Sequence, residues 1–379
     1  MRIAPVIKQK KTLSLFIFLL SSFFLLLSTI SNASAAVLYF YPQYVSIAPG
    51  EEALFELRLD TEGEPINAIE LDGKLSGVAA TLRTLDNSGS ALSIFVERPS
   101  IEGRSAFRLV GGAPSGIVGE HILARVSVRG ELPGASRLSY VPETTAVLLA
   151  DGAGGSASVR FLGADIAVEK TSPDKLILTS ESHPDQNQWY SSAVAHIRFN
   201  WDESGRYSYT VTRDMLGVPD DEADLPVGSS TWDGGVKIHD LPEGISYFAI
   251  KKIGSEAISR YRVMTDYSKP RWLEIRKSAG TGETEGRPFL SFLAHDDVSG
   301  IEYYEVRVNH GEPFTVSSPY PFPDSYSVIS LRAYDRAGNY IEEYIPGPQK
   351  DYTLWVWTLI LFVLLVWVSG IIDTGKKRS

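Results

Sequence analysis

Hydrophobic positions recur with a period of two along most of the chain. Ala53, Phe55, Leu57 and Leu59 alternate with Glu56, Arg58 and Asp60, and Ile122, Ala124, Val126 and Val128 alternate with His121, Arg125 and Arg129. Ile329, Leu331 and Ala333 repeat the pattern against Ser330 and Arg332, and Leu290, Phe292 and Ala294 share one set of alternate positions. Successive side chains of a strand point to opposite faces, so each run predicts a half-buried strand with its apolar set toward a core. Turn-forming pairs such as Pro133-Gly134 and Asp151-Gly152, and the triplet Ala337-Gly338-Asn339, fall between the runs. Between the two termini no stretch carries an apolar stripe at helical spacing. The expected class is all-β, built as tandem β-sandwiches.

The termini break this pattern in different ways. Leu354 to Ile372 is uncharged and apolar, opens among Tyr352, Trp355 and Trp357, and is followed by Lys376, Lys377 and Arg378. Nineteen residues at ~1.5 Å rise span roughly 28 Å, about the hydrocarbon thickness of a bilayer. The expectation is a transmembrane helix over 352–372 with a short basic cytoplasmic tail, 373–379. At the other end Arg2, Lys8, Lys10 and Lys11 precede the apolar stretch Leu13–Leu27 and the small residues Ala33-Ser34-Ala35. This predicts a signal peptide, 1–35, cleaved before Ala36; an uncleaved signal anchor is the alternative. Both readings give a single chain whose residues 37–351 are extracytoplasmic, at a bacterial cytoplasmic membrane.

Composition narrows what those residues do. The chain carries a formal net charge of −10, and setting aside the seven basic and one acidic residues of the termini leaves 29 basic and 45 acidic, or −16. An acidic ectodomain is a poor partner for nucleic acid or anionic lipid. With no cysteine, disulfides, thiolate chemistry and Cys-rich zinc sites are excluded, so each domain stands on core burial alone. About 315 residues suit two or three domains of ordinary size.

Three patterns in the first part carry a family resemblance. Tyr44-Val45-Ser46-Ile47-Ala48-Pro49-Gly50-Glu51 ahead of a strand, then Pro65-Ile66-Asn67-Ala68-Ile69-Glu70, and later Ala146-Val147-Leu148-Leu149-Ala150-Asp151-Gly152, occur in an order and spacing that resembles a cohesin module over 37–168. The resemblance implies a jelly-roll sandwich of the carbohydrate-binding-module type, and a role in holding another protein, dockerin-like in cellulosomes, through one sheet face. Locally, Pro49-Gly50 predicts a turn, Ile66 and Ala68 predict inward positions, and Asp151-Gly152 with Gly154-Gly155 supplies positive-φ positions for a final hairpin.

After a connector over 169–176, the lead-in Ser182-His183-Pro184 to Trp189-Tyr190, the stretch Leu241–Ile250 and a last strand at Tyr261–Asp266 resemble an immunoglobulin-like or fibronectin type III-like domain, 177–268. A third stretch, 269–348, resembles bacterial Ig-like repeats through Asp297-Val298-Ser299-Gly300-Ile301 and Arg332–Asn339, and Pro346-Gly347-Pro348 joins it to the apolar terminus. These two domains are expected to act as spacers, with Trp189, Trp201, Trp232 and Trp272 in cores or between domains.

The chain contains no HExxH, GxSxG or GxxxxGK pattern. The six histidines stand singly, and adjacent acids such as Asp296-Asp297 have no facing geometry of the kind glycosidases need. No enzyme activity and no obligate cofactor is expected. Asp214, Asp220, Asp221, Glu222 and Asp224 crowd one insertion whose oxygens suit Ca²⁺, although their order is not that of an EF-hand; a solvated acidic loop is the other reading. Asp335 and Asn339 predict a turn held by side-chain hydrogen bonds.

Tyr39, Tyr41 and Tyr44 are the candidate ligand-binding residues. If this stretch is a strand, Leu38 and Phe40 face the core and the tyrosines face outward, where rings stack on sugars. The expected function is a membrane-anchored scaffold or adhesion protein that binds an envelope or secreted protein. The alternative is polysaccharide binding by the cohesin-like domain.

Overall fold

A computed structural model describes residues 35–202, 205–225, 234–278, 280, 287–323, 325–348 and 356–365. The predicted signal peptide lies outside them, apart from Ala35, and so does Trp232. Of the predicted membrane span, residues 356–365 are described. They form a ten-residue helix exposed at every position, and no helix among the described residues is long and apolar enough to cross a membrane. The chain divides into two compact units, one of residues up to Asp266 with Asp297–Ser299, the other of Tyr267–Asp296 and the residues from Gly300.

The first unit opens with twelve strands: β1 (Ala36–Tyr41), β2 (Tyr44–Ile47), β3 (Glu52–Asp60), β4 (Ile66–Gly77), β5 (Ala80–Asp86), β6 (Ile94–Glu102), β7 (Ala106–Ile117), β8 (Glu120–Gly130), β9 (Gly134–Tyr140), β10 (Ala146–Leu149), β11 (Val159–Leu162) and β12 (Ala164–Val168). One sheet runs β11-β1-β3-β8-β5; the other runs β2-β12-β9-β4-β7-β6, with β10 beside β4. The chain changes sheet at almost every step, from β1 in the first to β2 in the second and back at β3. That is the winding of a jelly roll.

The alternating pattern explains the core. Ala53, Phe55, Leu57 and Leu59 are all buried, as are Leu38 and Phe40 on β1. Phe40 stacks on Tyr140 at 4.5 Å between ring centroids and meets Phe107 edge-on at 6.3 Å, so rings from both sheets lock the layers together. Burying each such side chain stabilises by roughly 1.5–3 kcal/mol. The Phe107 ring lies where a side chain on Gly73 would stand, 2.0 Å from an ideal Cβ, so close packing requires glycine there. The predicted Pro49-Gly50 turn precedes β3, with Gly50 at φ 87°.

Two inward assignments are corrected. Ile122 is half-buried, whereas Leu123 is fully buried, because the β3–β8 register shifts between Leu57 and Arg58. Ala68 is also only half-buried while Ile69 is buried, across a shift in the β4–β7 register. A bulge inserts one residue and reverses the alternation beyond it, which a strict period of two does not anticipate.

Seven further strands complete the first unit: β13 (Leu178–Ser180), β14 (Trp189–Tyr190), β15 (Ala195–Phe199), β16 (Tyr207–Thr212), β17 (Gly235–Ile238), β18 (Gly244–Lys252) and β19 (Ile258–Thr265). They pack as a three-stranded sheet, β13-β15-β17, on a four-stranded one, β14-β19-β18-β16. Ile197, Phe199, Phe248, Ile250, Tyr261 and Val263 fill the space between. Trp189 is buried, but Trp201 is exposed, contrary to its expected place in a core or between domains.

The second unit has the same division into three and four strands. Its strands are β20 (Arg271–Ser278), β21 (Phe289–His295), β22 (Ile301–Val308), β23 (Phe314–Val316), β24 (Tyr320–Pro321), β25 (Val328–Asp335) and β26 (Tyr340–Pro346), ordered β20-β21-β24 and β23-β22-β25-β26. Leu290, Phe292, Ile329 and Leu331 form its core with Val306, Ile345 and half-buried Trp272. The predicted Asp335 turn is present. One carboxylate oxygen accepts from the amides of Ala337 (2.9 Å) and Asn339 (2.8 Å), and the other from Asn339 Nδ2 (2.9 Å).

Candidate functional site: the two outer faces of the first sandwich

A two-sheet sandwich offers a partner two outer faces. On β1 the strand alternation places Tyr39 and Tyr41 on the outer face of the five-stranded sheet, opposite the buried Leu38 and Phe40. Tyr44 belongs to β2 and therefore to the other sheet, so the three candidate tyrosines do not form one row.

Tyr39 and Tyr41 sit within a ladder of charges. The Tyr39 hydroxyl donates to Glu120 Oε1 at 2.5 Å, and Arg58 donates to the same oxygen at 2.6 Å and to Glu56 Oε2 at 2.6 and 2.9 Å. Arg125 extends the ladder to Glu56 Oε1 at 3.2 Å. The hydrogen bond from Tyr39, followed by that from Arg58, holds the Glu120 carboxyl below its ordinary range. Burial first, and then the bond to Glu120, pushes the Tyr39 phenol up. The Arg58 guanidinium stands 4.7 Å over the Tyr41 ring. One side of that ring is thus already occupied by a cation, which leaves less of it for a sugar.

The next part of the same face is covered by the second sandwich. Asn187 Nδ2 donates to Glu52 Oε2 at 2.6 Å, Trp189 Nε1 reaches Asp86 at 3.4 Å, and the Tyr41 hydroxyl reaches Asp214 at 3.5 Å. Met215 and Tyr247 join the buried apolar cluster of the first sandwich, and burial pushes the Tyr247 phenol up to about 12. The connector is fixed as well. Glu169 N donates to Ile47 O (2.9 Å), Lys175 pairs with Glu51 (2.5 Å), and Leu176 N donates to Ser259 Oγ (2.7 Å). Within this unit the second sandwich is therefore packed against the first over a mixed apolar and charged surface.

The outer face of the other sheet has a different character. Glu70, Asp72 and Lys74 alternate along β4 with buried Ile69, Leu71 and Leu75, and Arg108 lies opposite Asp72 on β7. Arg108 binds three carboxylates at once: Glu70 at 2.5 Å, Asp72 at 3.0 Å and Glu97 at 3.4 Å. Its fork needs planar acceptors, so the three acids and the arginine fix one another in place. Ile94 and Val96 on the edge strand β6 are exposed, as is Val118 just beyond β7, with Val96 77% accessible. Sequence reasoning passed over Arg108 and Glu70; the signal was the alternation of charge with Leu71 and Leu109, which reads equally well as an ordinary solvated face.

The acidic insertion turns its carboxylates to local work. Asp220 and Asp224 both accept from Ser208 Oγ (2.9 and 3.1 Å), Asp221 pairs with Lys251 (2.7 Å), and Asp214 accepts from the amide of Leu216 (2.9 Å). The Glu222 amide, and then Ser208, holds the Asp220 carboxyl below its usual range. These partners make it a set of turns in which Asp214, Asp220, Asp221 and Asp224 each accept from a local hydroxyl, amide or ammonium donor.

Several solved cohesin modules are similar to the structure over about a third of the chain. The solution structure of CaCohA2 from Clostridium acetobutylicum is 17% identical over 37% of this chain and 95% of its own, with a TM-score of 0.31. A non-cellulosomal cohesin from the hyperthermophilic archaeon Archaeoglobus fulgidus is 13% identical over 36% of this chain and 93% of its own, TM-score 0.31. The cohesin module of a Clostridium perfringens family 33 glycoside hydrolase is 14% identical over 36% and 99%, TM-score 0.29. No family model matches the chain, and no curated protein does.

Proposed function

We propose that the protein is a single-pass envelope protein of a bacterial cytoplasmic membrane whose first sandwich is a non-catalytic module for binding another protein. The partner docks on the outer face of β6-β7-β4-β9. One observation carries this choice of face. The opposite sheet is already engaged by the second sandwich through Glu52, Asp86 and the cluster around Tyr247. The β4–β7 face, by contrast, carries a charge array pre-ordered around Arg108 beside exposed Ile94 and Val96. Fixed charges give orientation, and a flanking apolar patch supplies the buried area that makes association favourable. The cohesin resemblance of the sequence supports a protein ligand. The basic tail and the apolar stretch before it support the anchored topology.

The test presents immobilised full-length protein, in detergent, to the secreted and envelope proteins of its source cell. A partner retained by the natural protein and lost with Arg108→Glu or Val96→Asp supports the reading. Equal retention by both variants overturns the assigned face, and elution of polysaccharide alone overturns a protein as the primary ligand.

A further inference from the structure

Within the first unit, a cleft of about 920 Å³ opens between the start of the first sandwich and the second sandwich. That volume is in the range of sites that hold small molecules or a few linked sugar units. Its walls include four cationic side chains in a protein that is acidic overall. Two of them are matched: Lys175 by Glu51 at 2.5 Å, and Arg262 by the Asn187 side chain at 2.5 Å and Glu52 at 4.0 Å. The remaining acid of the lining, Asp185, accepts from the Asn187 amide at 2.8 Å as part of a turn.

The other two are not matched. Arg129 comes from β8 and Arg260 from β19, so each sandwich contributes one. In both, Nε is buried with no acceptor, and neither guanidinium makes an ion pair among the described residues. Arg260 has a single hydrogen bond, from Nη2 to Gly217 O at 3.3 Å, and burial lowers the pKa of its guanidinium below the ordinary value. A buried donor without an acceptor is costly, and the charges of Glu51 and Asp214, which act on Arg260 from beyond ion-pair distance, offset its desolvation only in part. Tyr44 lines the same cleft while 57% exposed, with a ring free to lie against an apolar face.

We infer that this cleft binds an acidic saccharide, with Arg129 and Arg260 receiving its carboxylate or sulfate and Tyr44 stacking on a sugar ring. Guanidinium groups bind planar oxyanions through paired N–H donors, and tyrosine supplies the flat surface that pyranose rings pack against. The site is separate from the β4–β7 face, so a protein partner there and a saccharide here are independent findings.

Calorimetric titration of the full-length protein in detergent tests it, with trigalacturonate, a sulfated trisaccharide and neutral galactotriose as probes. Saturable binding of one or both acidic probes is expected, weakened at least tenfold by Arg129→Gln or Arg260→Gln and severalfold by Tyr44→Ala, with galactotriose much weaker. The stronger acidic probe identifies the charged group. Tyr44 is exposed, so its variant reports on the site even where an arginine variant fails to fold. No saturable binding of either acidic probe, equal binding of galactotriose, or affinity unchanged in all three variants would overturn the inference.

Discussion

The side-chain amide of Asn187 donates to a carboxylate oxygen of Glu52 across 2.6 Å, tying the loop before β14 to the outer face of the first sandwich. The same carboxylate accepts from Ser127 Oγ at 3.1 Å and lies 4.0 Å from Arg262, whose side chain is only 3% exposed. Truncating Glu52 leaves donors in both sandwiches without their acceptor. Glu52→Ala is expected to destabilise the unit by about 2–4 kcal/mol and Asn187→Ala by about 1–2 kcal/mol. A double-mutant cycle in urea should return a coupling near 1 kcal/mol. Strict additivity would show that the contact does not join the two sandwiches in solution.

Gly73 stands directly beneath the ring of Phe107. Its backbone does not require glycine, so the constraint is space alone. Gly73→Ala must displace a ring that is held edge-on by Phe40, and overpacking of this kind costs about 1–3 kcal/mol. Pairing Gly73→Ala with Phe107→Leu should recover part of the loss in thermal denaturation, because the smaller side chain vacates the contested volume. No recovery would mean that the strain lies elsewhere.

The bulge in β8 separates two readings of one strand. Strict alternation puts Ile122 inward, while the structure buries Leu123 fully and leaves Ile122 half-exposed to the outer face. Leu123→Ala should cost about 2–5 kcal/mol and Ile122→Ala clearly less. The reverse ranking in chemical denaturation would restore the unbroken strand.

That strand also shows what could be read in advance. The sandwich class, the inward faces of β3, β21 and β25, and the outward turn of Tyr39 and Tyr41 follow from side-chain period alone, because burial selects for it. Bulges stayed hidden, since a single inserted residue leaves composition unchanged and merely shifts the phase. The candidate faces were less legible still. Whether Glu52 and Asp86 meet water or a second sandwich is decided by contacts more than a hundred residues away, which no local pattern records. Arg129 looked like any outward strand arginine, and only the cleft around it sets it apart.

His183 is buried with Nδ1 3.0 Å from Ser182 Oγ and its ring 4.5 Å from that of Tyr190. Burial lowers its pKa below the ordinary value. The unfolded chain therefore takes up the proton first as pH falls. The contribution to stability is complete above the unfolded value of about 6.5 and is lost as pH drops from there through the folded value. Urea midpoints measured between pH 7.5 and 4.5 should decline across that window, and His183→Gln should flatten the part of the slope that begins near pH 6.5. An unchanged slope would assign the decline to carboxylates.

The hydroxyl of Tyr261 donates to the carbonyl of His183 at 2.7 Å, pinning the segment that carries His183 and leads to Trp189 onto β19. Burial pushes this phenol up to about 12, as it does that of Tyr247. Tyr261→Phe keeps the ring in the core but leaves a buried carbonyl unpaired, at an expected cost of about 1–2 kcal/mol. Because Trp189 reaches Asp86 from the same segment, the variant should also raise the exposure of Trp189, seen as a red shift of its emission. In an alkaline absorbance titration, one phenol fewer should ionise in the late phase than in the natural protein, with the early phase unchanged. If Tyr261→Phe instead removes amplitude near pH 10, the hydroxyl faces water and does not anchor the segment that joins the two sandwiches.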